Sequence, residues 1–253
     1  MEQLPRRTFI QTALGSVLAF SLVKSLAQAQ ALSGKVKPVA FRWLAEVEEM
    51  SAALKGGKLP HAAWQGKIEE LFGRLSLPDL LRSIDYTNLS KAPLFPEDHE
   101  SALSLEFPQV EGLPQELSFI PMFVAFKKGR AIVPHGHLNM ASMHMLIDGR
   151  VHARHYERRE QTDTHILIEP TLDATFKPGD LSTVSDERNN IHWFKATSNT
   201  VFMFNVAVFG IDKSRGFSGR EYIDPLGGEK LGNGLIRARR LEGKEAFKLY
   251  GNT

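Results

Sequence analysis

The sequence predicts a mainly β protein, a barrel or sandwich preceded by an α-helical extension. Two observations carry that expectation. After Pro96 the chain falls into short apolar runs at residues 119–126, 131–133, 143–147, 151–156, 165–168 and 201–209, separated by turn residues. Many short strands at such spacing close into a barrel or sandwich. Before Pro93, apolar residues recur instead at three- and four-residue steps, the spacing of one helix face.

The first thirty residues read as a leader. Arg6 and Arg7 precede Thr8-Phe9-Ile10, a mostly apolar stretch runs from Ala13 to Val23, and small residues follow as far as Ala29. A basic head, a short apolar run and small residues at alternate positions make a cleavable export signal. The run falls well short of the ~20 residues of a membrane anchor. Arg-Arg-x-Phe-Ile resembles the twin-arginine signal, which hands folded proteins to the twin-arginine export machinery. The expectation is a periplasmic protein with no membrane anchor after cleavage. Residues 31–95 would then form a helical segment, 96–225 the barrel and 226–253 a C-terminal tail.

Composition narrows the chemistry. The leader carries Arg6, Arg7 and Lys24 against Glu2, which accounts for the whole chain's net charge of +2. The remainder is near neutral, which removes the electrostatic case for nucleic acid. The chain has no cysteine, so disulfides, thiolate ligands and a cysteine nucleophile are excluded. Acid–base and metal chemistry must come from His, Asp, Glu and Tyr.

In the helical segment, Phe41, Leu44, Val47, Met50 and Leu54 mark one apolar face; Ile68, Leu71, Phe72 and Leu75 mark the next, and Pro78 sits where a further helix can start. In the β region, Lys127-Lys128-Gly129, Asp148-Gly149, Pro178-Gly179-Asp180 and Asn189-Asn190 supply turns. Asp148-Gly149 between two alternating runs is the strongest hairpin signal. From Gly227 the chain turns glycine-rich and then basic, which reads as a surface loop and a short docking helix.

Nine histidines are present, and three of them suit a metal. Residues two apart on a strand share a face, so His135-Gly136-His137 offers two imidazoles to one cavity, with Gly136 leaving space between them. His192, in a later β segment, completes a set of three, and three imidazoles leave half of an octahedron open. His144 and His152 flank the Asp148-Gly149 turn as ordinary packed barrel positions with a lesser claim on the site. His155 and His165 sit among charges and are expected in solvent. Phe194 reads as barrel packing.

The surrounding residues resemble a known family. Pro134-His135-Gly136-His137 with Gly149 twelve residues on is similar to the first cupin motif, and Lys177-Pro178-Gly179-Asp180 with His192 is similar to the second. The resemblance implies a cupin double-stranded β-helix, a jelly-roll barrel with an N-terminal α-helical extension. Where most cupins supply a glutamate, this chain has Ser142, which leaves a neutral three-His site. His135-x-His137-x-x-Met140, Leu146, Gly149, His152 and Tyr156, then Asn190-Ile191-His192-x-Phe194-x-Ala196, resemble the plant cysteine oxidase and cysteamine dioxygenase family. That likeness spans roughly residues 131–208. It implies Fe(II) held by His135, His137 and His192, and a small thiol oxidised by O2 to a sulfinic acid. It also implies catalytic contributions from Tyr156 and from Asn205, which stands where the family has an aspartate. Zn, Ni, Cu or Mn suit the same ligands, so another three-His cupin oxygenase or isomerase, or a non-catalytic periplasmic binding protein, stays open.

Overall fold

The computed structural model describes residues 41–92, 95, 100–216 and 218–251; the leader lies outside them. The chain opens with helices α1 (Arg42–Lys55), α2 (His61–Arg74), α3 (Leu77–Ser83) and the single turn α4 (Tyr86–Leu89). The strands are β1 (Ser101–Ser104), β2 (Ile120–Lys127), β3 (Ala131–Leu138), β4 (Met140–Asp148), β5 (Val151–Gln161), β6 (His165–Phe176), β7 (Leu181–Ser185), β8 (Ile191–Ala196), β9 (Thr200–Phe209), β10 (Ser218–Lys230) and β11 (Ile236–Leu241), followed by helix α5 (Gly243–Tyr250). No helix among the described residues is long and apolar enough to cross a membrane.

The helices fall where the apolar spacing expects them. Leu44, Val47 and Leu54 of α1 and Ile68, Leu71 and Phe72 of α2 are buried, and Pro78 lies in the first turn of α3, where its missing N–H costs nothing. This layer covers one sheet, in the order β1-β2-β9-β4-β7. Phe72 and Phe204 of β9 lie 6.0 Å apart across the seam. A polar latch adds register: buried Gln65 on α2 donates to the Thr183 hydroxyl at 3.1 Å and accepts from the Ser185 hydroxyl at 2.8 Å, both on β7.

The strand pairs nest. β5 pairs with β6, β4 with β7, β3 with β8 and β2 with β9, all antiparallel. A long hairpin rolled up on itself produces this pattern, the jelly roll. Its tip is the β5–β6 hairpin, and its two layers enclose Val124, Ile132, Leu146, Ala153, Phe194 and Met203. A side chain such as Phe194, with no exposure, contributes on the order of 1.5–3 kcal/mol by burial. At the Asp148-Gly149 turn, Gly149 has φ 91° and a Cβ there would lie 2.3 Å from the Thr200 carbonyl oxygen, so only glycine fits.

The sequence reading misses β1 and β7, both short, and misreads the stretch after Gly227. Instead of a surface loop, that stretch continues β10 and forms β11, which pairs with β6 while β10 pairs with β3. The basic alternation Arg237, Arg239 faces out of β11 and Ile236 and Ala238 face in. The expected docking helix is present: Ala246 and Tyr250 of α5 bury against Val133 and Trp193.

Candidate metal centre

Three neighbouring strands present a row of imidazoles. His135 on β3 pairs directly with His192 on β8, which pairs in turn with His155 on β5. His137, two residues along β3, shares the face. The ring centroids of His135 and His192 lie 4.3 Å apart, those of His135 and His137 4.6 Å, and those of His137 and His192 5.7 Å. One nitrogen from each of the three lies within 4.8 Å of the others. All three rings are buried.

The nitrogens are prepared as ligands. His135 Nδ1 lies 2.7 Å from the Val133 carbonyl oxygen; donating there leaves Nε2 with its lone pair free. His192 Nδ1 is buried with no hydrogen-bond partner among the described residues, a costly state that a bound cation resolves. Burial, more than anything else, holds all three well below the usual histidine range; Arg220 adds to the effect at His135 and His137, and His135 adds to it at His192. They are therefore neutral near pH 7, the form that binds metal. The donor set fits a divalent first-row ion.

The opposite sheet closes the cavity. His144 on β4 is paired with Asn205 on β9, and Ser142 with Ala207. His144 lies 4.8 Å from His192, ring to ring, and is pushed down to about 3 by burial, then by His155 and Arg220. Asn205 Oδ1 is buried without a hydrogen-bond donor among the described residues. The Ser142 hydroxyl donates to the Val206 carbonyl oxygen at 3.1 Å, so it is spent on the backbone. The cavity has a volume of about 70 Å³, with Met122, Val124, Ile132 and Phe209 among its apolar lining.

Behind the triad stands a polar brace. Asn190 Nδ2 donates to the His137 carbonyl oxygen at 2.7 Å, and Asn190 Oδ1 accepts from Arg158 Nη2 at 3.0 Å. Arg158 pairs with Glu221 at 2.6 Å, and Glu221 with Arg240 at 3.0 Å. Gly136 lies against this brace: a Cβ would sit 2.7 Å from both Arg158 Nη2 and Asn190 Oδ1.

Expected site residues divide. The structure brings His135, His137, His192 and Asn205 to one cavity. Tyr156 does not join them. It pairs with Ile191, one residue off the His192 row, and packs with Ile166, Ile168 and Ile223 on the other face. Its hydroxyl, pushed up to about 12 mainly by burial, borders a separate cavity with Pro225 and Leu226. His155 also corrects the sequence reading. It is buried, 5.8 Å ring to ring from Phe194, and pushed down to about 4 by burial and then Arg188. Strand alternation is the reason: Arg154 takes the outward position, 4.7 Å over the Trp193 ring, and sends His155 inward. His152 points out, paired with Asp173. Sequence reasoning missed Glu100 and Arg220, both at the cavity; neither sits in a motif, so no local signal marks them.

The nested antiparallel pairing decides the fold. It is a jelly-roll double-stranded β-helix. Solved structures similar to this barrel include an oxalate oxidase, 12% identical over 49% of this chain and 56% of that one, with a TM-score of 0.34. A cupin superfamily protein from Desulfitobacterium hafniense is 12% identical over 45% of this chain and 81% of that one, TM-score 0.29. Procruciferin, an 11S globulin from Brassica napus, is 13% identical over 37% of this chain, TM-score 0.29. The chain spans 21% of that globulin's length and 56% of the oxidase's. No family model and no curated protein matches the chain.

Proposed function

We propose that the protein is an exported Fe(II)-dependent thiol dioxygenase that converts a small thiol, R–SH, and O2 to the sulfinic acid R–SO2H. One observation carries the reading: three buried neutral imidazoles converge within 4.8 Å, and the position that would bring a carboxylate to them is Ser142, its hydroxyl bound to the Val206 carbonyl. His135, His137 and His192 would hold the metal. When bound, Fe(II) supplies the redox chemistry that dioxygen requires, and its uncompensated charge favours the ionised thiol.

The chain's own residues then bind, orient and exclude water. Ser142 leaves space and charge for the substrate sulfur where a fixed glutamate would compete. Met122, Val124 and Ile132 keep the cavity wall dry, which strengthens every electrostatic contact inside it. Asn205 Oδ1, lacking a donor among the described residues, offers an acceptor to a substrate N–H or O–H but takes up no proton near neutral pH. All atoms of thiol and dioxygen are retained in the product, so no external reductant is required.

The test is oxygen uptake with sulfinate detection, on iron-loaded and zinc-loaded protein, against cysteine, cysteamine, 3-mercaptopropionate and short Cys-peptides. Uptake with at least one thiol by the iron form alone is expected, because zinc has no redox chemistry. An iron-replete protein inert towards every thiol sinks the reading. Export by the twin-arginine route is part of the proposal, resting on Arg6-Arg7-Thr8-Phe9-Ile10; normal trimming of an Arg6→Lys/Arg7→Lys precursor would refute it.

A further inference from the structure

On the face of β5 turned away from the triad, Tyr156 lines a second cavity, of about 400 Å³, bordered by the β10–β11 hairpin. Leu172, Leu231, Leu235 and Ile236 give it apolar walls, and Leu226 stands at its edge. Leu226 is 62% exposed, one of two large apolar side chains so placed among the described residues. A fixed loop holds it there. Asp224 pairs with Arg239 and Glu229 with Arg237, so residues 225–228 bulge out of the ladder. The Leu226 N–H donates to the Tyr250 hydroxyl at 3.2 Å, and the Gly227 N–H to Asp224 Oδ1 at 2.9 Å. A Cβ at Gly228 would lie 2.5 Å from Ile236 Cγ2, so the bulge packs its backbone straight onto the cavity wall.

Two polar groups of this cavity are unspent. Tyr156 is 4% exposed, yet its hydroxyl makes no hydrogen bond among the described residues. A buried O–H without an acceptor is costly, and an acceptor inside the cavity removes that cost. Lys230 pairs with no carboxylate among the described residues. The other charges are committed: Arg154 Nε donates to Asp173 at 2.9 Å, its guanidinium lies 4.7 Å over the Trp193 ring, and Asp173 also takes His152.

We propose that this cavity is a second binding site, separate from the metal centre, for an amphipathic monocarboxylate. Its carboxylate pairs with Lys230 at the rim, its apolar body covers Leu226 and Leu235, and an oxygen at its inner end accepts the Tyr156 O–H. A cavity of about 150 Å³ accepts benzene, so the larger volume here takes a ring with a short side chain. The site stands independently of the dioxygenase reading. Because the bulge is already in place, little ordering is needed on binding.

Calorimetric titration of the zinc-loaded protein with 4-hydroxycinnamate, cinnamate and 4-hydroxycinnamide tests this. The first carries both groups, the second lacks the inner oxygen and the third lacks the charge. One 4-hydroxycinnamate should bind per chain, about fivefold tighter than either of the others, as one hydrogen bond or one charge contact supplies. Tyr156→Phe, which keeps the ring, should bring 4-hydroxycinnamate down to the affinity of cinnamate. Lys230→Met should bring it down to that of the amide. The His192→Ala protein should bind all three as the parent does. Loss of acid binding in that variant would overturn the site, because the carboxylate would then be sitting at the metal. So would the absence of any binding tighter than about 1 mM, or preferences that survive both cavity substitutions. Self-association in sedimentation that Leu226→Asp abolishes would also overturn it, with a second copy of the chain covering the cavity instead.

Discussion

His135 and His192 stand directly opposite each other on β3 and β8, their rings 4.3 Å apart. The antiparallel ladder fixes this approach, so neither ring depends on a mobile loop for its position. A metal centre built on such a pair should behave as one unit with His137.

His192→Ala should therefore abolish stoichiometric metal, as should His135→Ala or His137→Ala, since a three-ligand set that loses one member is incomplete. His155→Ala should retain it, because His155 packs against Phe194 and is not in the triad. Metal analysis of purified variants checks this. Equal metal in the parent protein and the His192→Ala variant would dismiss the triad.

Gly136→Ala should weaken the centre without touching a ligand. The added methyl meets Arg158 and Asn190 at 2.7 Å, and Asn190 holds the His137 carbonyl. Overpacking of this kind costs about 1–3 kcal/mol. Urea midpoints and metal affinity should both fall. A variant with unchanged metal affinity would mean that the brace does not position His137.

Stability of the metal-free protein should drop in mild acid. Burial keeps His144 down to about 3 and His155 down to about 4, whereas the unfolded chain protonates these residues near 6.5. Folded values below unfolded ones mean that the contribution is complete above about pH 6.5. It is lost as pH falls towards 4 and then 3, at roughly 1.4 kcal/mol per pH unit for each histidine. Urea unfolding at about pH 7.5 and about pH 5 reads the difference directly, and equal stability at the two would contradict the buried neutral state.

Asn205→Asp restores an acid at the cavity, beside His144 on the neighbouring strand. Metal content should stay unchanged, while the pH–rate profile of thiol oxidation gains an ionisation. An unaltered profile would place Asn205 outside the reaction.

Much of the fold was legible because local rules governed it. Helical spacing at Leu44, Val47 and Leu54, alternation from Val151 to His155 in β5, and the turn at Gly149 each depend on near neighbours, and each holds in the structure, whereas β4 is buried on both faces from Met140 to Ile147. His135, His137 and His192 were legible for a related reason: strand periodicity puts the first two on one face, and their motif context singles out the third. The charged flanks of His155, by contrast, misled the reading. Arg154 takes the outward position beside it and Arg158 folds into the brace with Asn190 and Glu221, and composition alone does not say which phase a strand takes.

What the sequence by itself determined was the helices and most of the strands, the three histidines that converge, and the absence of a carboxylate at Ser142. Tertiary structure alone decided that Tyr156 faces away from the triad, that the stretch after Gly227 completes a sheet, and that Glu100 and Arg220 meet at the cavity. The physical reason is sequence separation. An ion pair between the edge of β1 and a strand beyond the jelly roll leaves no periodic trace in either segment, and it forms only when the rolled hairpin carries the two strands to the same cavity.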